Sequence, residues 1–220
     1  LFCIFSYEAL NFEFDINLYL SGKYKQESLE KIFETKKTIS NGFTFFFIEM
    51  AKRVQINKEK ITIKEYPNYY KNFDFNPLDP PKNVKQNNSS VYLKIDNIQF
   101  ISEPTWSAGE INEKDDFVKN FNPNLFLIPL YSSICDHFPI NESQNFFPFE
   151  FKFSEFLECL KVSPFEKCLK TETYPFIKLT TSNGYVAQTY SCKSPIQKVE
   201  FKIFKRNDHV FKRISIDGTT

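Results

Sequence analysis

Apolar residues recur at helical spacing in two stretches near the start of the chain. Leu29, Ile32 and Phe33 follow Ser28 at positions that share one helix face, and serine is a favoured N-cap residue. A longer apolar stripe begins near Ser40 and consists of Phe43, Phe46, Phe47, Met50 and Val54. The spacing therefore predicts a short helix, followed by a longer amphipathic helix that ends within residues 53–57.

After the second helix the apolar pattern changes to strict alternation. Ile61 and Ile63 alternate with polar residues, and residues 67–85, rich in Pro and Asn, predict an irregular loop. Alternation returns at Val91, Leu93, Ile95, Ile98 and Phe100. Because the polar pair Asp96-Asn97 divides this run, the pattern predicts a β-hairpin with a two-residue turn. Helices followed by antiparallel strands indicate the α+β class.

The chain changes character again from Pro148 onward. Short helices are predicted at residues 154–161 and 163–169. Beyond them, turn residues separate short alternating runs that predict strands at residues 176–179, 186–190, 199–204 and 210–214. Short strands at this spacing suggest a β-sandwich. We therefore expect two domains, residues 1–147 and residues 148–220.

Composition excludes some classes of function. Hydrophobic residues make up 41% of the 220 residues, and 27 residues are Phe, which is enough for a core of aromatic side chains. Lys and Arg number 28 against 27 Asp and Glu, without a long basic run, which argues against a nucleic-acid-binding protein. The longest apolar runs, residues 1–5 and 45–48, are far shorter than the roughly 20 residues that span a bilayer, so no membrane span is expected.

Cysteine and histidine usage bears on compartment and metal binding. The cysteines are odd in number and lack C-x-x-C spacing: Cys3, Cys135, Cys159, Cys168 and Cys192. We interpret them as free thiols in a reducing, cytoplasmic compartment. The histidines are His137 and His209, without a closely spaced pair of ligands. No zinc site is therefore expected, and nothing in the sequence indicates another cofactor.

Several motif-like segments follow one another in the predicted first domain. The earliest read NFEFD at residues 11–15, YLSGKY at 19–24 and KTISNGF at 37–43. The next read VYLKID at 91–96 and EPTWSAG at 103–109. Aromatic, glycine and proline residues at fixed offsets in these segments make them more specific than their apolar pattern alone.

A last group of segments completes the series, with FVK at residues 117–119, LFL at 125–127 and DHFP at 136–139. Together the segments resemble the transglutaminase-like core of the kyphoscoliosis-peptidase and hillarin family. That family has N-I-x-Y-D, Y-F-S-G-x-Y, R-x-G-V-C-x-G-Y/F, H-A-W-N-A-V-K-I-D and D-P-T-W-G-A-G stretches. The resemblance covers roughly residues 5–147, and the β-rich segment after residue 150 is more weakly similar to the Ig-like domain that follows the core.

The resemblance implies a fold and a set of site positions. The fold would be a papain/transglutaminase-like core of N-terminal helices and an antiparallel sheet, then a partial Ig-like β-sandwich. The core is expected to be truncated at its N-terminus and the Ig-like part at its C-terminus. The family's catalytic Cys, His and Asp align with Ser40, Asn88 and Glu103, so none of the three catalytic residue types is present.

Loss of the catalytic triad predicts a pseudoenzyme. A serine hydroxyl needs a base, an amide cannot accept a proton at neutral pH, and no histidine precedes His137. The resemblance implies protein partners of cytoskeletal or muscle type, and hence a scaffold role. Two alternatives remain open. One is a serine or cysteine peptidase or transamidase whose base, His137 or His209, lies within reach of Ser40. The other is a structural spacer, distinguished from a binding module by the absence of an open apolar cleft around Ser40 and Trp106.

Each candidate position also has a simple structural interpretation. Ser40 is interpreted as the N-cap of the long helix, Asn88 as a loop residue and Glu103 as a carboxylate that fixes a turn. Trp106 is expected in the core, although it could instead line a cleft. His137, in the DHFP segment, is interpreted as structural.

The adjacent residues Cys135, Asp136 and His137 form a rival constellation. Neighbouring side chains diverge, so a Cys-His dyad is not expected there. His209 is predicted to lie in a turn or strand and to face solvent.

Overall fold

A computed structural model of the 220-residue chain describes most of the first 158 residues and four short segments beyond them. For Glu158 and the segments that follow it, the description is limited to the backbone. The described residues are 1–23, 25–54, 59–71, 75, 84–112, 114–134, 136–141, 146, 152–158, 169–170, 191–192, 198–205 and 208–217.

Helices dominate the N-terminal part. In chain order the elements are α1 (Phe2–Asn11), β1 (Glu13–Phe14), α2 (Ile16–Ser21), α3 (Leu29–Thr35), β2 (Lys37–Thr38) and α4 (Ser40–Arg53). The predicted helices correspond to α3 and α4, and Ser28 caps α3 by accepting a hydrogen bond from the Lys31 amide. The helices α1 and α2 were not predicted. In α1 a glutamate interrupts the apolar stripe, and α2 has no buried residue to create one.

An antiparallel sheet follows the N-terminal helices. In chain order, the strands and helix of this part are β3 (Ile61–Tyr70), β4 (Asn88–Ile95), β5 (Ile98–Ser102), α5 (Pro104–Ala108), β6 (Gly109–Ile111), β7 (Phe117–Lys119), β8 (Ile128–Pro129) and β9 (His137–Pro139). The five-stranded sheet has the order β8-β5-β4-β3-β9, while β6 and β7 form a separate hairpin. Helices and an antiparallel sheet place the chain in the α+β class, as predicted.

The hairpin predicted around Asp96 and Asn97 is confirmed. The strands β4 and β5 pair antiparallel, with Ile95 opposite Ile98. Asp96 and Asn97 both have positive φ, 48° and 80°, as the two central residues of a type I′ turn do. Asn and Asp tolerate this left-handed backbone better than most residues, which is why the dipeptide marked the turn in the sequence.

The loop predicted from Pro67 was wrong in its first part, because β3 continues through Pro67 to Tyr70. The Pro67 carbonyl accepts a hydrogen bond from the Ile140 amide, on the side of β3 that faces β9. In an antiparallel strand the N–H and C=O of one residue point to the same side. The missing N–H of Pro67 therefore falls just beyond the end of β9, where it interrupts no ladder bond.

Aromatic side chains form most of the core. One cluster packs α1 and α4 against the sheet, and its fully buried members include Phe5, Phe47, Tyr66, Val91, Leu93 and Ile101. A second cluster lies between the N-terminal helices and contains Phe12, Ile32, Phe43, Phe46 and Ala108. The rings of Phe12 and Phe46 meet edge to face at 4.6 Å. The high phenylalanine content of the sequence thus becomes the packing of this core.

Glu8 is an exception on the buried face of α1. Phe5, Ala9 and Phe12 share this face and are, like Glu8, at most 1% exposed. Within the described part of the chain, neither carboxyl oxygen of Glu8 has a hydrogen-bond partner. Burial alone raises the pKa of Glu8 well above its usual value, so the neutral acid is the form that the fold accommodates.

Replacing Glu8 by Met is expected to stabilise the protein by about 1–3 kcal/mol at neutral pH, because an unpaired buried polar group is removed at similar volume. Because the pKa of Glu8 is raised in the folded protein, Glu8 loses its proton at a lower pH in the unfolded state than in the folded state. Stability should therefore be highest below the unfolded pKa and fall as pH rises toward the folded pKa. Urea unfolding at several pH values measures both effects.

The control for this prediction is Glu110→Met, since Glu110 is exposed. The difference in unfolding free energy between wild type and Glu8→Met should grow with pH, whereas Glu110→Met should track the wild type. An unchanged or lower stability of Glu8→Met would contradict the interpretation.

The first helix predicted after Pro148 is present as α6 (Phe153–Glu158), one residue earlier than predicted at its start. Lys71, which is fully buried, anchors this helix to the sheet. Its ammonium donates hydrogen bonds to the carbonyls of Phe156 and Leu157 and lies 4.3 Å from the centre of the Phe156 ring. A buried lysine at a helix C-terminus complements the negative end of the dipole.

Strand pairs follow α6. They are β10 (Leu169–Lys170) with β11 (Ser191–Cys192), and β12 (Lys198–Lys205) with β13 (Asp208–Asp217), both antiparallel. The last pair coincides with the strands predicted at 199–204 and 210–214.

Other predictions for this part of the chain lie outside the described residues. They are the strands at 176–179 and 186–190, the second helix up to residue 168, and the end of the first helix. Leu169, predicted helical, is in β10. Among the described residues, no helix combines the length and apolarity needed to cross a membrane.

Candidate functional site

Ser40 begins α4 as its first helical residue and is not its N-cap, which corrects the sequence interpretation. The N-cap is Ile39, whose extended backbone (φ −103°, ψ −179°) lets its carbonyl accept the amides of Gly42 and Phe43. The helix has no side-chain cap. Ser40 is 9% exposed, and within the described part of the chain no hydrogen bond joins its hydroxyl to a basic side chain.

Gly42 allows β2 to lie directly against the first turn of α4. A Cβ at this position would be 1.8 Å from Thr38 Oγ1 and 2.7 Å from Thr38 Cβ, which no real structure permits. Thr38 is fully buried, and its hydroxyl donates a hydrogen bond to Glu27 Oε2 at 3.0 Å. The glycine of the SNG segment is therefore required by packing.

Two polar contacts align α4 with the start of β4. Thr44 Oγ1 donates to the Ser89 carbonyl at 2.9 Å, and Gln86 Nε2 donates to Asn41 Oδ1 at 3.4 Å. The first turn of α4 thus lies beside the strand end that carries Asn88.

Asn88 is a buried strand residue and not the loop residue that was expected. It begins β4 directly opposite Asn68 on β3 and is 2% exposed. Its amide Nδ2 lies 3.3 Å from Glu103 Oε2, 3.3 Å from Asn68 Oδ1 and 3.2 Å from Ser90 Oγ. The two candidate positions Asn88 and Glu103 are therefore hydrogen-bonded to each other.

Glu103 follows β5 and precedes α5, but its carboxylate does not fix that turn. The helix has no side-chain cap, and the carboxylate instead points across β4. Glu103 Oε1 accepts a hydrogen bond from Ser90 Oγ, and Oε2 accepts the one from Asn88. At 2% exposed, this carboxylate lies inside the protein and needs a compensating charge.

His137 supplies that compensating charge. Its Nε2 lies 2.8 Å from Glu103 Oε1, off the direction of a good hydrogen bond, and its Nδ1 lies 2.6 Å from Asp136 Oδ1. Burial by itself would lower the pKa of His137, but the carboxylates of Asp136 and Glu103 outweigh it and raise this pKa to about 10. At neutral pH the ring is therefore an imidazolium, which has no lone pair to accept a proton.

Trp106 is 37% exposed and lies outside the core, contrary to expectation. Its ring meets that of Tyr70 at 5.1 Å, and Tyr70 in turn covers the His137 ring at 4.9 Å. The aromatic pair therefore lies between the buried charges and solvent. The hydroxyl of Tyr66 is also buried and has no hydrogen-bond partner among the described residues, and burial, together with the charges of Asp136 and Glu103, raises the pKa of Tyr66.

Strand registry brings together residues that sequence reasoning missed. Asn68 and Tyr70 lie on one face of β3, and their partners across the strands are Asn88 and His137. Continuing the period-two pattern of Ile61 and Ile63 through Pro67 would have revealed this polar face. The contact between Asp136 and His137 was also missed, because neighbouring residues were expected to diverge.

Other candidates do not join this cluster. Cys135 lies outside the described residues, as does the side chain of His209, whose backbone belongs to β13. Among the described residues, no group of three or more His, Cys, Asp or Glu side chains is arranged to hold a metal ion. An apolar concave surface of the described region lies between α3 and α4, away from Ser40 and Trp106.

Comparison of the chain with protein-family models, with curated proteins and with solved structures gave no match in any of the three.

Proposed function

We propose that this chain is a catalytically inactive transglutaminase-like module that serves as a protein-binding or cytoskeletal scaffold domain. In this proposal residues 1–147 form a papain/transglutaminase-like core and residues 148–220 a partial Ig-like domain. The proposal joins the motif resemblance to the geometry around Ser40, Asn88 and Glu103.

The observation that best supports the absence of catalysis is the protonation state of His137. A serine nucleophile activated by histidine requires a neutral imidazole within about 3 Å of its hydroxyl. His137 lies between the carboxylates of Glu103 and Asp136 and is charged at neutral pH. Asn88 occupies the place beside Glu103 where a triad histidine would stand, and its amide cannot relay a proton.

The same histidine is the specific observation in favour of the alternative, a peptidase or transamidase with a recruited base. His137 shares the carboxylate of Glu103 with Asn88, so it lies in the region where a relay would operate. For catalysis it would have to give up its proton and approach Ser40. Its two ion-pair contacts and raised pKa oppose both steps.

The scaffold half rests on the resemblance and on the retained packing around the site. The close approach at Gly42, the hydrogen bond from Thr44 to β4 and the buried polar cluster hold the helix N-terminus against the sheet. A fold that preserves these contacts without a base presents a rigid surface rather than a reactive one.

A fluorophosphonate probe, which reacts with activated serines, tests the inactive half. The purified 220-residue protein should show no labelling of Ser40 above that of Ser40→Ala, measured by peptide mass spectrometry between pH 6 and 9. Hydrolysis or transamidation of peptide substrates should also be equal in the two proteins. The physical reason is that His137, the histidine whose side chain the structure describes, is charged at neutral pH and cannot remove the hydroxyl proton.

The variant His137→Gln further distinguishes the pseudoenzyme from an enzyme with a recruited base. If His137 were a recruited base, wild type would label at Ser40 and this variant would not. Labelling of Ser40 in the wild type, abolished in both variants, would refute the pseudoenzyme proposal and establish the alternative.

A further inference from the structure

A surface groove of about 390 Å³ lies between α3 and α4. Its apolar lining consists of Leu29 and Phe33 from α3 and of Phe46 and Met50 from α4. Phe33 is 50% exposed although it lies in the centre of a helix, while Phe46 is fully buried beneath it. Phe33 thus continues the apolar lining of the groove out to the surface, and a contiguous exposed apolar surface of this kind can mark an interaction site.

Two acidic side chains and one basic side chain border this groove. Glu30 and Glu34 lie one turn apart on α3, and Arg53 lies at the end of α4. In the described part of the chain, none of these three forms an ion pair. Their neighbours, by contrast, are already neutralised, since Lys31 pairs with Glu27 and Lys52 with Glu49.

Lys36 is a further cation close to this groove, and its ammonium contacts Phe33 and Tyr7. Its ammonium lies 3.4 Å from the centre of the Phe33 ring and donates a hydrogen bond to Tyr7 Oη at 3.0 Å. The charged residues that line the groove itself are therefore Glu30 and Glu34 on α3 and Arg53 on α4, a net charge of −1, while the Lys36 ammonium lies against the Phe33 ring.

The dimensions of the groove favour a short segment over a second copy of the chain. The seven residues of α3 extend over about 10 Å, which matches about two turns of a partner helix. A stable dimer interface needs about 20–30 residues on each side, and seven residues line this groove. The groove by itself is thus smaller than a dimer interface, and its length accommodates two apolar anchors.

We propose that this groove binds an amphipathic helical segment of a partner protein, with apolar residues one turn apart seated against Phe33 and Met50 and basic residues facing Glu30 and Glu34. Helix-in-groove recognition of this kind uses anchors spaced at i and i+3 or i+4. The proposal specifies a surface and a partner class for the protein-binding role. It does not depend on Ser40, Asn88 or Glu103, so either proposal can fail alone.

Two synthetic helical peptides with the same leucine stripe test this inference, one with lysines and the other with glutamates beside the stripe. In fluorescence anisotropy titrations the wild type should prefer the lysine peptide by about 3- to 10-fold, because exposed ion pairs contribute modestly. The double variant Glu30→Lys/Glu34→Lys should reverse the preference. Both residues are exposed, so the variant is expected to fold.

Phe33→Ala should weaken binding of both peptides, while Leu20→Ala, at another exposed apolar position, should leave them unchanged. Equal affinity for the two peptides, or an unreversed preference in the charge variant, would overturn the proposal. So would sedimentation of the wild type as a dimer that Phe33→Ala dissociates, because a second copy would then occupy the groove.

Discussion

His137→Ala is expected to lower the free energy of unfolding by about 3–5 kcal/mol at neutral pH, since it leaves buried carboxylates without their counter-charge. His137 is 1% exposed and lies within 2.8 Å of both Glu103 and Asp136. Among the described residues, neither acid contacts another cationic side chain. Removal of the ring therefore leaves both carboxylates without a counter-charge. Urea unfolding followed by circular dichroism measures the loss.

The pH dependence of the wild type provides a second measurement. The pKa of His137 is raised from 6.5 to about 10, so the folded state holds a proton that the unfolded state releases earlier. The stabilisation is fully present below pH 6.5 and is lost as pH rises toward 10. The difference in stability between wild type and His137→Ala should therefore shrink over this range.

A double-mutant cycle with Glu103→Gln controls for the cavity that His137→Ala creates. If the ion pair causes the loss, the double variant should be more stable than the sum of the single effects predicts, because one stranded charge is gone. Additive losses would show that packing, and not charge compensation, explains the role of His137.

Gly42→Ala is expected to destabilise the protein by about 1–3 kcal/mol, although the same change inside a helix ordinarily stabilises by about 1 kcal/mol. The added Cβ would meet three atoms of the Thr38 side chain within 2.8 Å. Thr38 is fully buried and hydrogen-bonded to Glu27, so it has no free space into which to move. The strand β2 must therefore separate from the start of α4.

Thr38→Ala provides the matched test, because it removes two of the three clashing atoms. Gly42→Ala should cost less in the Thr38→Ala background than in the wild type. Gly22→Ala serves as a comparison, since nothing lies within 4 Å of the added Cβ and its cost comes from a φ of +61° alone. No rescue by Thr38→Ala would refute the steric explanation for Gly42. Thermal unfolding of the four variants distinguishes these outcomes.

Local patterns predicted the elements whose formation depends on local forces. The stripe from Phe43 to Met50 identified α4, because one face of that helix is buried along its length. The Asp96-Asn97 pair identified the hairpin, because its turn demands residues that tolerate positive φ. Ser28 identified the start of α3 through its own hydrogen bond to the helix.

Predictions failed where a residue's role depends on a distant partner. Pro67 indicated a loop, but its missing donor falls beyond the end of β9, a strand some seventy residues later in the chain. Trp106 was expected in the core, yet it covers Tyr70 at the surface. The helix α1 was not predicted, because the carboxyl group of Glu8 on its buried face interrupts the apolar pattern that indicates a helix.

The chemistry divides in the same way. The sequence alone determined that serine, asparagine and glutamate stand at positions 40, 88 and 103, which only the proposed resemblance relates to a catalytic triad, and that no histidine precedes His137. Only the tertiary structure decided that His137 lies beside Glu103, because β9 pairs with β3. Residue type limits which proton transfers are possible, whereas the burial and spacing of charges set the protonation state. The fold places His137 between two buried carboxylates and so holds it as an imidazolium.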